Sequence, residues 1–146
     1  MLYFAYTARI DPVRMAAAAP GAEFRFIAHL PEHGLEWPIA GGGWGGGLPS
    51  LISNPAATVW GAVFAVPEPE FPALDEAEVA EGRTASTTQV IDRTGKRHTV
   101  TVHVAAASGS GNGHQPSAAY VDLMLDGSRH WARPAGWIAG LEELRT

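Results

Sequence analysis

The sequence predicts an α+β fold of about six short strands and four helices, and three observations carry that expectation. Apolar residues recur at a spacing of two in several brief runs, the period of a half-buried strand. Elsewhere they fall three and four apart behind helix-starting residues. The 17 glycines and 11 prolines then cut the chain into short elements separated by many turns. A length of 146 residues with 46% hydrophobic content suits a single domain over residues 1–146, since chains of this size bury roughly 70% of their unfolded surface.

Residues 2–6 form an aromatic-rich run too brief for a helix and read as a buried strand. Asp11-Pro12 starts a helix: the aspartate accepts from free backbone N–H groups and the proline has its φ pre-set. The helix continues over 13–19 until Pro20-Gly21 stops it. Residues 23–30 alternate, with Phe24, Phe26, Ala28 and Leu30 on one side, as a half-buried strand does. Over 31–49 the pattern disappears, and Gly41-Gly42-Gly43-Trp44-Gly45-Gly46-Gly47 reads as a loop. Residues 48–53 and 58–66 read as two antiparallel strands separated by a turn at Asn54-Pro55. The acidic start of 68–80 and the spacing of Phe71, Leu74 and Ala77-Glu78 predict a helix with Glu78 near its end. Strands at 86–92 and 97–105 join through Arg93-Thr94-Gly95-Lys96. The Ser/Gly-rich stretch 106–116 reads as a mobile loop, and helices over 117–127 and 134–144 close the chain.

Composition excludes several kinds of chemistry. With no cysteine there is no disulfide, thiolate nucleophile or Cys-based zinc site. A net charge of −5 without a clustered basic face argues against a nucleic-acid partner. The apolar start lacks a basic leader and meets charge and proline too soon for a signal peptide or a spanning helix, so neither a membrane partner nor export is expected and the cytoplasm is the expected location. Of the six histidines, His98 and His103 lie an odd number of residues apart on a proposed strand and point to opposite faces. No helical pair brackets a glutamate, and no metal is expected.

Three local motifs, in order, are similar to those of the γ-glutamylcyclotransferase-like superfamily. That family opens Tyr-Phe-Ala-Tyr-Gly-Ser-Asn-Leu, and this chain has Tyr3-Phe4-Ala5-Tyr6 followed by Thr7-Ala8-Arg9-Ile10. The family's Trp-x-Gly-Gly and Val-Trp-Gly-Val are answered by Trp44-Gly45-Gly46-Gly47 and by Val59-Trp60-Gly61-Ala62-Val63. Its Leu-Asp-x-x-Glu-Gly is answered by Leu74-Asp75-Glu76-Ala77-Glu78, with Val79 in place of the glycine. Tyr120 matches a tyrosine of the family's substrate pocket more weakly.

The resemblance implies a small mixed β-barrel flanked by helices, and an enzyme that needs no cofactor and releases 5-oxoproline from a small γ-glutamyl amine, amide or peptide. It assigns Glu78 as the catalytic acid/base, with a carboxyl pKa raised by partial burial near apolar neighbours. It assigns Tyr3, Phe4, Ala5, Tyr6, Thr7, Ala8 and Arg9, with Tyr120, to substrate binding, the strand-end loop offering backbone N–H groups to the substrate's carboxylate and amide oxygen. Thr7-Ala8-Arg9 stands where the family has Gly-Ser-Asn. If that glycine holds a positive φ, a β-branched Thr7 imposes another loop shape, and Arg9 supplies a forked donor for an anion. A second reading follows from the same replacement: a non-catalytic relative that binds a small anionic ligand or a protein partner. An amide-cleaving hydrolase that releases free glutamate is a third.

Overall fold

The protein, seen in a computed structural model that describes residues 1–105 and 114–144, is built around a closed five-stranded barrel. Strand β1 (Leu2–Ala5) pairs antiparallel with β3 (Leu48–Ala65), from Leu2↔Ala65 to Ala5↔Ala62. Strand β2 (Glu23–Ile39) flanks β3 on the other side, and the hairpin of β4 (Arg83–Asp92) and β5 (Arg97–Ala105) follows it. A parallel contact at Tyr3↔Thr101 closes the ring in the order β1-β3-β2-β4-β5. The Ser/Gly-rich loop expected over 106–116 falls outside the described residues from 106 to 113.

Alternation along β1 sorts its side chains. Phe4 and Tyr6 join Leu30, Val59, Val63, Val90, Val100 and Val102 in the apolar filling of the barrel. Tyr3 and Ala5 face the other way, into a layer shared with Ile27 and Phe64 from the sheet and with Ile10, Met15 and Leu74 from the helical side. Each such aliphatic or aromatic side chain taken from water stabilises the fold by roughly 1.5–3 kcal/mol.

Two sequence expectations change in the middle of the chain. The pattern does not end at Leu30: β2 runs to Ile39 and pairs with β3 back to Ile39↔Leu48, forming a two-stranded arm beyond the barrel. Leu35, Trp37 and Ile39 keep the period of two and pack against the C-terminal helices, but Pro31, Gly34 and Pro38 disguise the run. Prolines are tolerated where a strand edge has no ladder to feed. The turn expected at Asn54-Pro55 is a bulge inside one continuous strand. The pairing steps from Pro31↔Thr58 to His33↔Ser53, and Asn54 Oδ1 accepts the Ala56 N–H at 3.1 Å. Among the described residues five strands therefore replace the six expected.

The helices follow their local signals more closely. Asp11 accepts the Arg14 N–H at 3.2 Å and Pro12 fills the first turn of α1 (Pro12–Ala18). Residues Glu68–Glu70 form a 3-10 turn that leads into α2 (Phe71–Ala80). Ser117 caps α3 (Ala118–His130), which passes through Gly127 instead of stopping there. A Cβ at Gly127 would lie 2.6 Å from Ile10 and from the Asp11 nitrogen, so that glycine serves a close helix-to-turn contact. Helix α4 (Ala135–Leu144) completes the layer over Trp37 and Leu48. No helix among the described residues is long and apolar enough to cross a membrane.

Candidate active site

On α2, Leu74 and Glu78 are four residues apart on the buried face. Leu74 enters the core, whereas Glu78, 1% exposed, meets polar groups of the barrel wall. Its Oε1 accepts from Arg9 Nη1 at 2.8 Å and from Arg83 Nη1 at 2.9 Å. Its Oε2 accepts from the Tyr3 hydroxyl at 2.8 Å, and His103 Nδ1 stands 3.6 Å away. Oε1 is thereby saturated, while Oε2 keeps one lone-pair direction without a donor among the described residues.

Glu81, one turn on, completes a four-charge group, taking Arg9 Nη2 at 3.1 Å and Arg83 Nη1 at 2.5 Å. Two cations balance two anions, as burial requires. The two arginines are held differently. Arg83 is fully buried and its Nε donates to Pro49 O at 2.8 Å, which fixes it to β3. Arg9 reaches in from a 3-10 turn (Ala8–Ile10), and its guanidinium donates to two carboxylates, Glu78 and Glu81.

Burial lowers the pKa of an isolated guanidinium, but the Glu78 charge, with Tyr3 and Glu81, lifts Arg9 above its ordinary value. Arg83 is raised as well: burial opposes, and Tyr6, Tyr120 and the two glutamates outweigh it. Burial and then the Glu78 charge push the Tyr3 phenol well above its usual value, so it remains a donor to Glu78. Glu81 goes the other way, its burial outweighed by Arg9 and Arg83, which hold its carboxyl below the ordinary range. One expectation is corrected here: Glu78 lies between guanidiniums and not chiefly among apolar neighbours. Thr7, at φ −97°, is extended and unstrained, so the turn takes a shape that needs no positive φ at that position.

Part of the expected backbone cradle is spent internally. Thr7 Oγ1 accepts the Arg9 N–H at 3.3 Å, Thr7 O accepts that of Ile10 at 3.1 Å, and the Ala8 N–H donates to the Tyr120 hydroxyl at 3.3 Å. Tyr120, edge-on to Trp37 and Trp44, thus links α3 to the strand-end turn. The structure gathers Tyr3, Arg9 and Glu78, and brings Thr7, Ala8 and Tyr120 to the turn beside them. Phe4 and Ala5 are packed into the two core layers. Tyr6 lies between, its ring in the barrel and its hydroxyl on His103 O at 2.6 Å.

Sequence reasoning passed over three members of this site. Arg83 falls in what reads as a linker ahead of residue 86, and Glu81 in the fraying end of a helix. His103 was weighed only as a metal ligand; it is fully buried, with Nε2 2.9 Å from Asp75 Oδ1. The signal for His103 is its opposite parity to His98, which turns His103 toward Asp75 of α2 while His98 meets Asp92 on the other face of β5.

Comparison with known proteins agrees with this architecture. In sequence, 81 residues are 31% identical to human gamma-glutamylcyclotransferase and 31% identical to the mouse protein, spanning 53% of this chain and 43% of each relative. The matched stretch is thus less than half the length of those relatives. In structure, a gamma-glutamyl cyclotransferase superposes at a TM-score of 0.89 over 97% of this chain and 86% of its own, at 24% identity. An uncharacterised human protein superposes at 0.86 over 97% and 85%, at 26% identity. The model of the AIG2-like family matches residues 58–141, from within β3 into α4 and across Glu78, and the chain accordingly belongs to the AIG2-like family of the γ-glutamylcyclotransferase-like superfamily.

Proposed function

We propose that this protein is a cyclotransferase that releases 5-oxoproline from a small γ-glutamyl amine, amide or peptide, with Glu78 carrying protons between the reacting nitrogens. The observation behind this reading is a buried carboxylate at the family motif's glutamate position, with Tyr3 and Arg83 fixing its orientation and one direction of Oε2 free of donors. The substrate's α-amine attacks its own γ-glutamyl carbonyl carbon, Cδ, the N–Cδ bond of the lactam forms, and the bond from Cδ to the leaving nitrogen breaks. Glu78 takes a proton from the attacking nitrogen and returns it to the departing one, a transfer worth about 100-fold or more in rate. Tyr3, held protonated, orients the carboxylate through a donated hydrogen bond.

Arg9 is the anion-binding group in this reading. Its guanidinium rests on Glu78 and Glu81 in the free protein and turns to the substrate's α-carboxylate as the substrate's ammonium reaches Glu78, so that the Arg9–Glu78 pair is replaced by pairs of each residue with the substrate. It takes over the task of the backbone N–H groups that the turn has spent.

A non-catalytic binding role is favoured by the same contact, since Arg9 already occupies Glu78. The two readings separate in an assay of 5-oxoproline release from a panel of γ-glutamyl amines, amides and dipeptides, run with wild type and Glu78→Gln. Release by wild type and its loss by at least about 100-fold in the variant is the expected result. Folded wild type that releases nothing from any panel member ends the cyclotransferase reading, and release of free glutamate replaces it with the hydrolase.

A further inference from the structure

His103 carries an unusual vacancy. Its ring is fully buried between β1 and α2, with Tyr3 and Phe71 at centroid distances of 5.8 and 6.1 Å. Nε2 is 2.9 Å from Asp75 Oδ1, but Nδ1 is buried without a hydrogen-bond partner among the described residues, 3.6 Å from Glu78 Oε2. Buried polar atoms are ordinarily satisfied, and an exception calls for a cause. A carboxylate at Nε2 puts the ring hydrogen there, which leaves a lone pair on Nδ1 facing the ionised carboxylate, where no hydrogen lies between the two. The vacancy disappears once Glu78 is protonated, because Oε2–H then donates to Nδ1. The arrangement is incomplete in the resting protein and complete in the state that turnover creates.

The reaction proposed above gives this a use. The attacking ammonium sheds two protons on becoming a lactam N–H, and the leaving nitrogen gains two on departing as an ammonium. A single carboxylate holds one at a time. Resting on that reading, we infer that His103 is a positioning and relay residue that takes the first proton from Glu78 through Nδ1, with Asp75 holding the ring in the receptive tautomer. Glu78 is then free to accept the second proton from the attacking nitrogen, and both return to the leaving nitrogen, so that no proton is gained or lost overall. Asp75, whose side chain is 37% exposed, connects the buried pair to solvent and exchanges the proton with water if the amine leaves unprotonated. The groups facing the ring are Tyr3 of β1 and Asp75 and Glu78 of α2. Arg9 and Arg83 bear on it through Glu78, and the hydroxyl of Tyr6 binds its backbone carbonyl.

Two measurements test this. The first is independent of activity: the side-chain nitrogen NMR spectrum of His103 in the wild type and in Asp75→Ala. An Nε2–H tautomer in the wild type that loses its preference in the variant is expected; an Nδ1–H tautomer in the wild type overturns the inference, whether or not 5-oxoproline is released. The second is the pH dependence of 5-oxoproline release by His103→Gln, which keeps polarity but cannot take up a second proton. We expect kcat to fall by about 100-fold with KM within about twofold, and the acid limb of the kcat profile to shift. An unchanged limb in an active, folded variant overturns the relay while leaving Glu78 catalysis intact. A wild type that releases nothing overturns the cyclotransferase reading and with it the relay's role in turnover, and the NMR result still decides the Nδ1 acceptor.

Discussion

Arg9 stands where the superfamily motif has asparagine, and its two carboxylate partners make the residue's function readable in kinetics. Arg9→Gln removes the charge that, in the proposed function, meets the substrate's α-carboxylate while keeping a donor of similar reach. A charge-assisted hydrogen bond contributes about 1.5–3 kcal/mol, so KM for a γ-glutamyl amine should rise by about 10- to 100-fold. The check is an analogue whose α-carboxylate is a carboxamide: wild type should discriminate strongly against it, and the variant should not. If Arg9 merely obstructs Glu78, the variant will instead have a lower KM. At this scale the sequence disclosed Glu78 and Arg9, because a motif names positions. It hid Arg83 and His103, because their roles depend on which faces the barrel closure turns toward α2. Arg83 is read as linker until β4 is seen to begin at that residue.

The turn bearing Arg9 is fastened from α3 at three points. Tyr120 accepts the Ala8 N–H, Trp131 Nε1 donates to Ile10 O at 2.8 Å, and Gly127 lets the helix backbone approach Ile10 and Asp11. Gly127→Ala therefore displaces the turn or the helix, at a cost of about 1–3 kcal/mol for an overpacked contact. Urea unfolding should show that loss, and the KM for a γ-glutamyl amine should rise with it, since the Arg9 turn moves. Unchanged stability would mean that the contact relaxes freely. The elements themselves were legible where one local signal governs: Asp11-Pro12, the Arg93–Lys96 turn with its Asp92 contacts, and the Ser117 cap. They were misread where a tertiary partner decides. Gly127 looks like a helix stop and is a contact, and Asn54-Pro55 looks like a turn and is a bulge.

For the whole molecule, the four-charge group links stability to pH. Glu81 has its folded pKa below its unfolded value of about 4.3, so its contribution is complete above that value and is lost as pH falls through the lower folded one. Glu81→Gln should therefore lower the Tm at pH 7, and the gap from wild type should close as pH drops below about 4. Melts at pH 7, 5, 4 and 3 read this directly, and a gap independent of pH would assign the loss to packing. The barrel as a whole was expected from three motifs in order. The matched family span begins at residue 58, so the Tyr3–Tyr6 strand is tied to the fold by its register with β3 and not by that match.

The bulge in the arm bears on how copies of this protein meet one another. In an unbroken register His33 would face position 56; it faces Ser53, so three residues are looped out of β3. A straight two-stranded ribbon standing out from a barrel offers edges that a second chain can extend into an intermolecular sheet, and a bulge with a proline in it breaks that template. Deleting residues 54–56 would straighten the arm without touching Glu78. The deletion protein should then associate at concentrations where wild type does not, as light scattering would show. Asn54 and Pro55 in that case guard solubility, with no part in the chemistry.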